Sequence, residues 1–452
     1  MPSPVEFADA HRARFESELS DLLRIPSIST LPEHRDDTRR AAHWLAENLR
    51  SMDLPVELIE TAGYPLVYAE WLGAPGRPTL LGYGHYDVQP VDPVDLWTSP
   101  PFQPAVRGGR LFARGAADDK GQILTLIAAI RAYLQTSGRL PINVKLLIEG
   151  EEESGGAGIE AYVRDHADRL RADACLVLDS GMAAPGVPAI TLGLRGIVGG
   201  EIEVSGAARD LHSGIYGGVA PNPFQALAEI LTALKDKNGR ILVPGFYDRV
   251  APPPAEEKAG WERLPFDEAA FLRNEIGAPA LIGEPGYGAL ERMWARPTLE
   301  IHGMPGGFTG AGSKTVIPAR AAAKVSMRVV ADQRPDEIAG AFTTHVLAVA
   351  PKSVRAEVKM GHGAPPVVIS SNAPPIAAAK RALTEAFGRE AVFVRMGGSV
   401  PIVSEFAGRL GLPVVVTGWS LPDANAHSPD ESLDLEHFHK GIRALMRFFE
   451  EM

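Results

Sequence analysis

Hydrophobic positions along the first 180 residues switch between two spacings. From Phe15 to Leu23, and again from Thr38 to Leu49, apolar side chains recur every three or four residues, the spacing of helices that bury one face. Pro26 and Pro32 mark the connection between them. Leu66 to Trp71 and Thr79 to Tyr83 are short apolar runs that predict strands. A helix is predicted from Lys120-Gly121 to about Gln135 and a buried strand over Ile142 to Ile148. Helix then strand follow again, around Ile159 to Leu170 and over Ala174 to Leu178. Such alternation predicts an α/β domain.

The pattern changes near Gly193-Leu194-Arg195-Gly196. Ile197 to Val204 alternates like a half-exposed strand, and strands near Pro297 to Ile301, Ala322 to Val329 and Ser353 to Lys359 join helices at Asn222 to Leu234 and Pro335 to Leu347. Together they predict a smaller α+β domain, with a surface insertion around Ala251 to Glu257. Helix Ile376 to Phe387, strand Pro413 to Thr417 and helix Leu435 to Phe449 restore the first pattern. The first domain is therefore expected to be discontinuous, residues 1–195 and 366–452, with an inserted domain at 196–365.

A chain of 452 residues exceeds one typical hydrophobic core, which agrees with two domains. Apolar residues at 45% and charged residues at 22% exclude disorder. Against 45 Lys plus Arg stand 56 Asp plus Glu, a net charge of -11 that gives no support to a nucleic-acid surface. No apolar run reaches the roughly 18 residues of a membrane span, and Met1 to Ala10 has no signal or anchor character. Cys175 is the sole cysteine, in an apolar run, which points to a cytoplasmic protein relying on oxygen and nitrogen ligands rather than sulfur.

Acidic residues and histidines collect where the predicted strands end. In Gly82-Tyr83-Gly84-His85-Tyr86-Asp87, His85 and Asp87 can share one side, with Asp87 orienting a metal-bound imidazole; an ordinary histidine-carboxylate hydrogen bond is the plainer alternative. Asp118 and Asp119 precede a helix and are candidates to cap it, or, given the small residues around them, for one to bridge two cations while the other supports the site. Glu149-Gly150-Glu151-Glu152-Glu153 crowds four carboxylates after a buried strand, an unfavourable arrangement unless solvent, protonation or cations compensate. Asp179 follows another apolar run, and distant His427 completes a carboxylate and imidazole set that suits Zn2+ and also Mn2+ or Co2+.

Three motifs in this order, Gly84-His85-Tyr86-Asp87, Gly115-Ala116-Ala117-Asp118-Asp119-Lys120-Gly121 and Glu149-Gly150-Glu151-Glu152-Glu153-Ser154-Gly155, give the chain a strong resemblance to the M20 metallopeptidases and amidohydrolases. The resemblance is greatest to the cytosolic non-specific dipeptidase and carnosinase branch. It implies a discontinuous two-metal catalytic domain with an inserted α+β lid and dimerisation domain. It implies two divalent ions per subunit: His85, Asp118 and Asp179 hold one, and Asp118, Glu153 and His427 hold the other. Glu152 is then the general base, with Glu151 as its rival in the run of glutamates.

In the inserted domain the resemblance rests on Asp210-Leu211-His212-Ser213-Gly214. It implies a homodimer in which His212 reaches the partner's active site and binds the carbonyl oxygen. Thr315 and Arg328 are implied to bind substrate, Arg328 by pairing two parallel hydrogen bonds with a terminal carboxylate. Ser399 resembles a second carboxylate-binding residue. The Gly306 to Thr315 run lacks the Gly-Lys-Ser/Thr ending of a phosphate loop. Met396 stands where many relatives carry an acid, removing a contact for a substrate amine. The implied activity is hydrolysis of dipeptides or other short peptides with a free C-terminal carboxylate. The alternatives are hydrolysis of N-acyl amino acids or related amides, and a noncatalytic peptide-binding protein.

Overall fold

The structure is a computed structural model that describes residues 2–452. Two compact units divide the chain. One runs up to Leu192 and resumes over Ile369–Val394 and Ile402–Met452; the other comprises Gly193–Val368 and Arg395–Pro401.

The first unit is built on a six-stranded sheet in the order Val56–Ile59, Leu66–Trp71, Asn143–Glu149, Thr79–His85, Ala174–Val177, Val414–Val416. The first two strands join antiparallel and the remaining four run parallel. Asn143–Glu149 is buried along its whole length and Thr79–His85 nearly so, as expected of central strands covered on both faces. Helix Lys120–Ser137 is buried almost all round and ends on Gly138 in the left-handed conformation, which a residue without a Cβ adopts at little cost. The C-terminal helix Leu435–Glu451 packs against it and against Pro374–Phe387.

The second unit has a four-stranded antiparallel sheet in the order Thr298–Gly303, Arg320–Val329, Gly196–Ser205, Arg355–Met360. Helices Pro223–Thr232 and Pro335–Val349 pack on this sheet, and Leu227, Ile230, Phe342 and Val346 meet Val198, Ile202, Val325 and Met327 in its core.

Predicted and observed elements differ mainly at their ends. The helix expected to reach Leu170 spans Ala157–Asp165, because the backbone leaves helical geometry at His166. Several short elements fall outside the predicted ones, among them strands Val56–Ile59, Ala189–Leu194 and Val392–Met396 and helices Pro4–Ala10 and Pro401–Gly408. Among the described residues, no helix is long and apolar enough to cross a membrane.

Candidate metal centre and substrate-recognition residues

Parallel pairing brings three strand ends to one edge of the sheet. His85 lies opposite Glu149, and Tyr83 opposite Val177. The side chain of His85, the Glu151 to Glu153 turn and Asp179 therefore gather beyond the carboxyl ends of the strands, where α/β sheets place their ligands. Asp118 enters the same region from the loop leading into helix Lys120–Ser137.

Asp118 sits between two imidazoles. Its Oδ1 is 2.9 Å from His85 Nε2 and its Oδ2 is 3.0 Å from His427 Nε2, which also lies 3.2 Å from Glu153 Oε1. Two overlapping triads result, His85 with Asp118 and Asp179, and Asp118 with Glu153 and His427. In each, the candidate ligand atoms lie within 4.8 Å of one another. Glu153 Oε1 is buried and, the His427 imidazole 3.2 Å away apart, has no polar partner among the described residues, the condition of an oxygen that a cation would satisfy.

Electrostatics report the same crowding. Burial and then repulsion from Asp179, Glu153 and Asp118 push Glu152 up to about 9, although His85 opposes the shift. Burial and the Asp118 charge push Asp179 up to about 7. Burial would also raise Asp118, but the imidazoles of His427 and His85 overcome it and hold that carboxyl below its ordinary range. His427 is raised to about 10 by its hydrogen bonds with Asp118 and Glu153.

The surrounding residues fix this arrangement. Asp87 is fully buried; its carbonyl lies 3.0 Å and its carboxylate 3.3 Å from His85 Nδ1. The same carboxylate accepts the Glu152 and Glu153 amides, at 3.3 and 3.1 Å, and the Ser29 hydroxyl at 2.6 Å. Asp119 does not cap the helix with its side chain. Instead its Oδ2 accepts the His85 amide at 3.0 Å. Small residues permit these approaches: a Cβ on Gly84 would sit 2.6 Å from Asp119 Oδ2, and one on Gly121 2.0 Å from the Ala116 carbonyl oxygen. The Glu151 carboxylate turns toward Thr61, whose hydroxyl it accepts at 3.2 Å.

The second unit holds two further groups. His212 and Thr315 are exposed neighbours: His212 pairs with Val316, and Ser213 N donates to Thr315 O at 3.1 Å. His212 Nδ1 accepts the Gly214 amide at 3.0 Å. Arg328 Nη1 donates to Ser399 Oγ at 2.7 Å, and that hydroxyl donates to the Arg195 carbonyl. Arg195 Nε donates to Gly397 O at 2.8 Å, while burial and then the Arg328 charge push its guanidinium down to about 10. Two guanidiniums thus lie close together, each hydrogen-bonded only to neutral oxygens.

Sequence reasoning missed three contributors. Arg195 served only as a boundary marker, although a charge directly after the apolar, buried run Ala189–Leu194 is itself a signal. Gln89 donates to Glu153 Oε2 at 2.6 Å, and Glu431, four residues after His427, binds the Asp118 loop. Neither belongs to a local pattern.

Known proteins share this architecture along the whole chain. The Cys-Gly metallodipeptidase of Schizosaccharomyces pombe is 31% identical over 99% of this chain and 97% of its own length. The crystal structure of human carnosine dipeptidase 1 superposes with a TM-score of 0.88 at 31% identity, covering 99% of this chain and 98% of that one. A metallo-carboxypeptidase of the M20 family from Sulfolobus solfataricus gives 0.87 at 31% identity over 96% and 98% of the two chains. The mixed α/β fold is the one the motifs implied. Residues 81–451 match the profile of peptidase family M20/M25/M40, and the chain belongs to that family of metallopeptidases.

Proposed function

We propose that the protein hydrolyses the peptide bond of dipeptides, or of other short peptides with a free C-terminal carboxylate, using two divalent ions per subunit. The observation that carries this reading is the pair of overlapping triads sharing Asp118. His85, Asp118 and Asp179 hold one ion and Asp118, Glu153 and His427 the other. The mixed oxygen and nitrogen donors favour Zn2+, with Mn2+ or Co2+ as alternatives. Bound there, the ions supply Lewis acidity toward a water molecule and a carbonyl oxygen.

The protein's own groups do the rest. Glu152 takes a proton from the attacking water and returns it to the leaving amine; the turning of Glu151 toward Thr61 supports that choice. Asp87 positions His85 and the Glu152-Glu153 turn together. Arg328 pairs with the substrate carboxylate, assisted by Ser399, and Thr315 contacts the substrate. The inserted domain, residues 196–365, acts as lid and dimerisation domain, and His212 reaches the active site of a second subunit to bind the carbonyl oxygen. Beside His212, Ile215 is 70% and Val219 88% exposed, an apolar surface suited to cover by a partner. The sole cysteine, buried Cys175, accords with a cytoplasmic setting.

N-acyl amino acids are the second reading, favoured by Met396, whose side chain lies alongside Gly398 and offers an amine no carboxylate. A hydrolysis screen of dipeptides, tripeptides and N-acyl amino acids with metal-reconstituted protein decides between them, with Glu152→Gln as control. Cleavage confined to N-acylated substrates would reject the peptide reading.

A further inference from the structure

We propose that Glu431 is the positioning residue that holds Asp118 between the two metal positions, so that a single buried carboxylate governs both. The inference rests on the two-metal reading above. The Glu431 side chain is completely buried, and its two oxygens receive four hydrogen bonds. Oε1 accepts the amides of Ala117 at 2.9 Å and Asp118 at 3.0 Å; Oε2 accepts the Gly115 amide at 2.9 Å and Arg114 Nη1 at 2.7 Å. Three of the four donors are backbone groups of the loop that carries Asp118.

Charge neutralisation alone does not explain this arrangement. A buried ion pair recovers little of its desolvation cost unless the remaining lone pairs are satisfied, and here the loop amides satisfy them. The loop in turn lacks another acceptor of this kind, because the Asp119 carboxylate is turned to His85 and leaves the helix start uncapped.

The same segment supplies His427. His427 has a φ of 62°, in the left-handed region that most non-glycine residues avoid, and Asn425 and Asp430, residue types that enter it more readily, lie there as well. Just beyond them Glu431 O accepts the Ala113 amide at 3.1 Å, and Ser432 N donates to Ala424 O at 2.9 Å. Glu431 thus fastens the His427 segment to the Asp118 loop. Arg114 extends the clamp, since its Nη2 donates to Pro90 O at 3.0 Å, next to the Gln89 that donates to Glu153. Through these contacts one side chain sets the spacing of ligands belonging to both triads.

The test is a Zn2+ titration by competition with a chromophoric chelator, run on the full-length wild type, Glu431→Gln and Leu433→Ala. Leu433 is buried in the same segment, and its truncation serves as a control for destabilisation alone. Glutamine presents an amide to donors on one side, so affinity at both positions is expected to fall by roughly 10- to 100-fold, the usual cost of losing a group that orients ligands. Leu433→Ala is expected to lower the melting temperature and leave both affinities unchanged. Wild-type affinities in Glu431→Gln, weakening of only one position, or a loss no larger than that of Leu433→Ala would each overturn the proposal. Should Glu431→Gln not fold, Arg114→Met keeps the three backbone contacts and is expected to weaken both positions severalfold; unchanged affinities there would also overturn it. A wild-type protein that binds no divalent ion would instead remove the two-metal reading itself.

Discussion

In the first unit the candidate ligands, the exposed His427 apart, are largely enclosed, and they already touch: Asp118 meets both imidazoles within 3.0 Å, and the carboxylates of Asp87, Asp119 and Glu431 hold the backbone that carries them. In the second unit His212 and Thr315 lie exposed and are held only through nearby backbone groups. Arg328, half-buried, engages only the Ser399 hydroxyl. On the function proposed above, the contrast follows from what each set would have to meet. A cation needs donors at fixed spacing, which rigid strand ends and buried hydrogen bonds provide. A substrate or a second subunit needs access, so those groups are presented with bonding capacity unused.

The largest effects should come from the enclosed set. Chelation is expected to abolish hydrolysis and Zn2+ to restore it. Glu152→Gln should lower kcat by about 10²- to 10⁴-fold while Zn2+ binding, followed by calorimetry, persists. Activity unchanged in this variant would remove Glu152 from proton transfer.

The exposed set is tested next. His212→Ala should lower kcat by about 10²-fold, as loss of one oxyanion donor does. Mixing His212→Ala subunits with Glu152→Gln subunits should recover activity, because each mixed dimer contains one site with both residues intact. No recovery after verified subunit exchange would place His212 in its own subunit's site or outside catalysis. Arg328→Met should raise KM by roughly 10- to 100-fold for peptides with a free carboxylate, the loss of a charged hydrogen bond. Substrates with an amidated C-terminus should be unaffected, and an equal rise for both would exclude carboxylate recognition by Arg328.

The smallest effect concerns pH. Asp179 and Glu152 have folded-state values near 7 and 9, above the ~4 expected in the unfolded chain. The metal-free folded protein therefore retains protons that the unfolded chain releases. The resulting stability is fully present below ~4 and is lost as pH rises through 7 and then 9. Bound Zn2+ offsets the repulsion, so the Zn2+-induced rise in Tm should be larger at pH 8 than at pH 5.5. Calorimetry with and without chelator measures it; an equal rise at both pH values would show that the carboxylates do not repel one another as described.

Much of this was legible in the chain itself. The strands that carry His85, the glutamate run and Asp179 announced themselves as apolar runs, because strands covered on both faces must be apolar throughout. Their acidic endings stood out for the same reason. Asp118 and His427 are 309 residues apart; residue type offered His427 as a distant member of the set, the motif resemblance paired it with Asp118, and the structure places the two 3.0 Å from each other.

Local pattern supplied Asp87 among the bracing groups but not the others. Local pattern left Asp119 as either a helix cap or a support for the site, and tertiary packing turned it to the His85 amide, the second of these. Glu431 and Arg195 follow no periodicity, since their partners, mostly backbone groups, are brought near by folding. The sequence by itself determined the alternation of elements and the acids and histidines at their ends, because burial dictates residue type. Tertiary structure alone decided which of those acids face one another, because hydrogen bonds to distant backbone leave no period in the chain.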